Sequence, residues 1–197
     1  ALLPSVALAE GAPGGRGPRT PGSLQRGPED PVAQPRFQLR LDQADRAALD
    51  RNIGFAMPPV PADGVEWIGS EPLSVEALRG RVVVIQSLTT RGSWRGSVDQ
   101  LRTQLKDVSE VPVVFLLHVP EAADQGRRQL EPALDGWIGL IDSDGSFCDE
   151  LGVWRRPVNL VVDRNGAVRY AGLTPEGVRA AVEHLNKETR ESDAAPP

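Results

Sequence analysis

The chain has 197 residues, 40% of them hydrophobic, and a formal net charge of -5 from 22 Lys+Arg against 27 Asp+Glu. That suits one domain with appendages, and the mild acidity argues against a nucleic-acid binder, which carries a basic excess. Two histidines and one cysteine exclude most metal sites, disulfide frameworks and dithiol redox centres. Neither a metal nor a cofactor is implied.

The chain does not open on Met and reads as a fragment or a processed product. Ala1 to Ala9 (A-L-L-P-S-V-A-L-A) ends in small residues at Ala7 and Ala9, as an export signal does at its cleavage site. Residues 1–9 are then a signal remnant, or cleavage came earlier. Either way the expected location is periplasmic or extracellular. The plain alternative is an Ala-rich tail. No run reaches the roughly 18 apolar residues of a membrane span, so membrane association would be peripheral, through a complex.

Six Gly and seven Pro fall within the first 36 residues. Such a stretch cannot bury enough surface to offset its ordering entropy, and alone it should be disordered. Residues 1–36 therefore read as an extended arm. From Phe37 the pattern alternates and then turns helical behind Asp42, a good N-cap. Gly54 stops that helix, and Met57-Pro58-Pro59-Val60-Pro61 reads as a stiff connector. Residues 37–61 are thus expected to be a short helical segment and linker, with the domain over 62–186 and a polar tail over 187–197.

Within the domain, Val65 to Ile68 is a short strand, and Ser74 caps a one-turn helix ending at Gly80. Arg81 to Leu88 and Val111 to Val119 are continuous apolar strands of the kind buried on both faces. Between them, Trp94, Val98, Leu101 and Leu105 form a helical stripe. Glu121 to Leu134 reads as helix, Trp137 to Ile141 as a third core strand and Phe147 to Leu151 as a short helix. Val158 to Val162 and Ala167 to Ala171 flank Asn165-Gly166, a tight hairpin turn. Thr174-Pro175-Glu176 opens a last helix. The order predicts an α/β fold, a central mixed sheet flanked by helices.

Local residues add to this order. One motif runs from Pro72 to Val84 (P-L-S-V-E-A-L-R-G-R-V-V-V). A second is Gly152-Val153-Trp154-Arg155-Arg156-Pro157, followed by a strand and by Asp163 to Gly166. In order and spacing the chain resembles the thioredoxin-like superfamily, in its exported TlpA/ResA type related to AhpC/TSA proteins, over roughly Ile53 to Leu185. The resemblance implies a thioredoxin-like fold. It also places a Cys-x-x-Cys just after the first long strand. Here Leu88 to Ser97 holds no cysteine, so neither dithiol exchange nor a peroxidatic thiol is available at that position. The single cysteine, Cys148, reads as a small buried hydrophobe on a short helix.

By the same resemblance Pro157 is a cis proline, facing the helix start. Arg91, Trp94, Arg95, Trp154, Arg155 and Arg156 then gather at the vacated site. Arginines there could hold a carboxylate or sulfate bidentately, and Arg and Trp are favoured at binding hot spots. The plain alternative puts Trp94 in the core stripe, Trp154 over the sheet and the arginines in solvent. Asp142-Ser143-Asp144-Gly145 is a turn, because its ligand spacing fails for calcium. His118, near Glu121, reads as a core histidine with no nucleophile beside it, and Asp149 with Glu150 as a solvated helix face.

The expected function is a redox-inactive, exported, non-enzymatic module. It binds a protein partner through the N-terminal arm, as an accessory or structural subunit of an envelope or extracellular assembly. The alternatives are an oxidoreductase-like enzyme with monothiol chemistry, and an anion- or small-ligand-binding module at the Arg-rich site.

Overall fold

A computed structural model describes residues 30–89, 94–119, 123–153 and 156–194. Two strands organise it. β2 (Val83–Leu88) and β3 (Val113–His118) are buried at every position. A strand without a polar face needs cover on both sides, and the helices supply it. α3 (Trp94–Leu105), α4 (Ala123–Leu130) and α6 (Pro175–Ala194) bring Val98, Leu130 and Val182 to one face. α1 (Gln43–Asp50), α2 (Val75–Leu78) and α5 (Ser146–Leu151) bring Leu49, Leu78 and Phe147 to the other.

The remaining strands are β1 (Val65–Ile68), β4 (Ile138–Asp142), β5 (Asn159–Val162) and β6 (Val168–Ala171). They lie in the order β1-β4-β3-β2-β5-β6. β2, β3 and β4 run parallel, with Val83 opposite Val113 and Phe115 opposite Ile138. β5 and β6 follow antiparallel on one side, and β1 pairs antiparallel with β4 on the other.

Local chemistry explains the element ends. Ser74 accepts from the Ala77 amide and caps α2, and Asp42 accepts from the Asp45 amide and caps α1. The β5–β6 hairpin turns at Gly166, whose φ of 84° suits glycine. There one Asp163 carboxylate oxygen accepts from the amides of Asn165 and Ala167, both at 2.9 Å.

The structure corrects three expectations. First, the segment read as arm end, alternating stretch and linker is part of the domain. Val32 is fully buried, and Asp30 accepts from Tyr170 Oη at 3.2 Å. Phe37 ends a 3-10 turn (Pro35–Phe37), and Gln38 forms a single bridge to Leu173. Second, Met57 and Pro58 are buried rather than exposed in a connector. The physical reason is the open edge of β6. Leu39, Gly54 and Met57 donate backbone hydrogen bonds to Gly172, Val168 and Gly166 at 2.8–2.9 Å, and Val168 donates to Phe55 at 2.9 Å. An uncovered edge would offer its polar groups to other chains. Third, α6 continues to Ala194 instead of ending in a polar tail at Lys187.

Leu49 tests whether this segment folds with the sheet. Its side chain is 1% exposed and sits in the core of the α1 face. Leu49→Ala should cost about 2–5 kcal/mol in urea unfolding, whereas Val111→Ala, at a residue 62% exposed, should stay within about 0.5 kcal/mol. Equal stabilities of the two variants would show that α1 does not share the core.

Candidate functional site

The carboxyl ends of β2 and β3, the start of α3 and the residues before β5 meet at one end of the sheet. Ser87 fixes this corner. Its amide donates to the Val158 carbonyl at 2.8 Å, and its Oγ accepts from the Val158 amide at 3.0 Å. Gln86 Nε2 donates to the same carbonyl at 3.1 Å. Behind it, Asn159 accepts from the Leu173 amide and donates to the Leu173 carbonyl, each at 2.9 Å. All three side chains are buried with their polar groups satisfied.

The expected cluster does not assemble among the described residues. Arg91, Trp154 and Arg155 lie outside them. Trp94 is only 4% exposed and belongs to the core with Val98, Leu101 and Leu105. Its indole donates to Gln129 Oε1 at 3.1 Å, tying α3 to α4. Trp94 is therefore a packing residue and not an exposed anchor, because its stripe points at the sheet. Arg95 is exposed, with its guanidinium 5.6 Å from the Trp94 ring centre.

Arg156 is engaged inside the chain. Its Nη2 lies 3.3 Å from Asp42 Oδ2, and its Nε lies 2.9 Å from Asp45 Oδ2. The peptide bond before Pro157 is trans, since no peptide bond among the described residues is cis. The trans form is the lower in energy for an X-Pro bond. It corrects the expectation drawn from the resemblance.

Cys148 is fully buried on α5, on the face of the sheet opposite α3. Burial pushes its thiol pKa far up, and the hydrogen bond and charge of Asp142 raise it further. Asp142 is itself fully buried and accepts from the amides of Cys148 at 2.6 Å and Gly145 at 3.1 Å. Asp142 to Gly145 thus forms the start of α5. Asp144 accepts from the Ser146 amide at 2.9 Å, which holds its carboxyl below the usual range. No group of three acidic, His or Cys side chains among the described residues could hold a metal ion.

His118 ends β3 with its ring fully buried beneath Gly126 of α4. A Cβ at Gly126 would lie 3.0 Å from three ring atoms, so the helix and the imidazole pack closely where a side chain would crowd the ring. The ring packs on the α3 face, like Leu88 opposite it in register.

One feature was missed from the sequence. A groove of about 520 Å³ runs along α3, lined by Trp94, Arg95, Val98, Asp99, Arg102 and Asp135. Arg102 joins α3 to the facing wall. It donates to the Ala133 carbonyl at 2.7 Å and to Asp135 Oδ2 at 2.9 Å, and stacks 4.4 Å from the Trp137 ring centre. Trp94, Val98 and Arg102 share a stripe at spacing four, and Asp135-Gly136 marks a turn. Those two signals together could have located the groove.

No protein-family model matches the sequence, and no curated protein matches it. Solved structures do. A thioredoxin-like superfamily protein, 19% identical, matches with a TM-score of 0.55 over 66% of this chain and 95% of that one. A secreted thiol-disulfide isomerase from Corynebacterium glutamicum, 13% identical, matches at 0.53 over 66% and 85%. A putative protein disulfide isomerase from Bacteroides thetaiotaomicron, 14% identical, matches at 0.53 over 70% and 92%.

The fold is thioredoxin-like. This thioredoxin-like chain has one cysteine and no Cys-x-x-Cys.

Trp94 and Arg95 separate packing from surface on α3 of this thioredoxin-like domain. Trp94→Ala should cost about 3–5 kcal/mol in chemical unfolding, and Arg95→Ala less than about 0.5 kcal/mol. A Trp94→Ala protein as stable as the parent would return Trp94 to the surface and reopen the hot-spot reading.

Proposed function

We propose that the chain is a redox-inactive thioredoxin-like module of the exported TlpA/ResA type. It binds a protein partner as an accessory subunit of an envelope or extracellular assembly. One observation carries the reading. The stretch where the resemblance places the reactive thiols holds none, and the only cysteine is sealed in the core on the other face of the sheet. Thiol-disulfide exchange needs an accessible thiolate, and Cys148 supplies neither access nor ionisation.

The same facts weigh against monothiol chemistry. The engagement of Arg156 by two carboxylates weighs against an anion site at that residue. The Ala7-x-Ala9 pattern supports export, and so does the secreted neighbour. No helix among the described residues is long and apolar enough to cross a membrane. The proposed TlpA/ResA kinship rests on the order and spacing of the Pro72–Val84 and Gly152–Pro157 motifs, the first of which forms the Ser74-capped turn into β2.

The arm is the proposed tether. Asp30 and Val32 anchor its end to the domain, so a deletion of residues 1–29 leaves the packed segment intact. Affinity capture from native envelope extract should yield one stoichiometric partner with the full chain and lose it on that deletion. Retention by both forms would move the contact to the domain surface, and capture by neither would overturn the assembly reading. In parallel, a disulfide-exchange assay should give the buffer rate for both the native chain and Cys148→Ala. Turnover that disappears in Cys148→Ala would overturn redox inactivity.

A further inference from the structure

We propose that α1 is a strap that joins the end of α5, at Leu151 and Gly152, to Arg156 ahead of β5, and that the Arg156 ion pairs are its releasable fastening. Three contacts place it there. At one end Asn52 Nδ2 donates to the Leu151 carbonyl at 2.9 Å. In the middle Gly152 sits at φ 70°, and a Cβ there would lie 2.8 Å from the Ala48 carbonyl oxygen, so the two backbones touch. At the other end Arg156 meets Asp42 and Asp45.

The three contacts differ in kind. The first two are a buried neutral hydrogen bond and close packing. The third is electrostatic and partly open to water, with the Arg156 side chain 44% exposed and Asp45 12%. Salt screens the third and leaves the first two nearly untouched.

α1 also has its own anchor. Arg46 donates to the carbonyls of Ala171 at 3.0 Å and Gly172 at 3.3 Å, and Leu49 is buried in the core. Losing the Arg156 pairs therefore leaves α1 seated and frees only Arg156 to Val158, next to Ser87. The strap does not depend on whether the module binds a partner.

The test is amide exchange of the full chain, read at Gly152, Val153 and Val158. These amides donate to Asp149, Cys148 and Ser87. Asp42→Asn/Asp45→Asn removes both charges and keeps a good N-cap at position 42. Exchange at Val158 should rise about 2- to 30-fold, the range for two partly exposed pairs, with the β3 amides unchanged. Arg156→Gln should reproduce the rise. Salt of about 1 M, with a screening length of about 3 Å, should accelerate the native protein alike and leave the double variant unmoved. Unchanged exchange in the variants would overturn the strap. So would a rise of equal size in β3, which would mark general destabilisation.

Discussion

Two adjacent strands with no polar face govern the structure. Every residue of β2 and β3 is buried, so water is excluded from both sides of the sheet's centre. Complete burial of a residue such as Ile85 or Leu116 contributes about 1.5–3 kcal/mol. That gain requires helices on both faces. α3 and α6 close one side, and α1 with α5 closes the other. The one thiol falls inside the second layer, against Asp142.

The same demand for cover extends to the sheet's edge. β6 would present unpaired backbone groups on its outer side, and the segment from Leu39 to Met57 satisfies them. A stretch whose Pro content reads as a linker is thereby part of the fold. Its helix carries Asp42 and Asp45 to the corner where Ser87 fixes Val158, and engages the one described arginine of that corner's loop. Sheet edge and candidate site are joined through one short helix.

Much of the fold was legible in the sequence because burial leaves a periodic trace. The apolar runs at Val83–Leu88 and Val113–His118, the stripe from Trp94 to Leu105 and the Asn165-Gly166 turn each have a local cause. Position 94 also showed a core spacing, and it is core. Less legible were features that depend on distant contacts. Nothing local in Met57-Pro58 announces the β6 edge that buries it. Nothing in Arg156 announces Asp42, which lies 114 positions earlier in the chain. The groove residue Arg102 reads as a solvated helix charge until the carbonyl of Ala133 is placed beside it. The trans bond before Pro157 departs from what the resemblance implied, and no residue pattern signalled it.

The proposed redox inactivity requires that this thioredoxin-like domain keep its only thiol out of chemistry. The most direct measurement is the rate at which an aromatic disulfide reagent labels Cys148 across a urea series. With the thiol sealed in the core, labelling should be negligible in native buffer. It should rise only with the global unfolding transition, at the same midpoint as the tryptophan fluorescence. Labelling at the rate of a free thiol in native buffer, ahead of unfolding, would show that Cys148 is open to exchange in the folded domain.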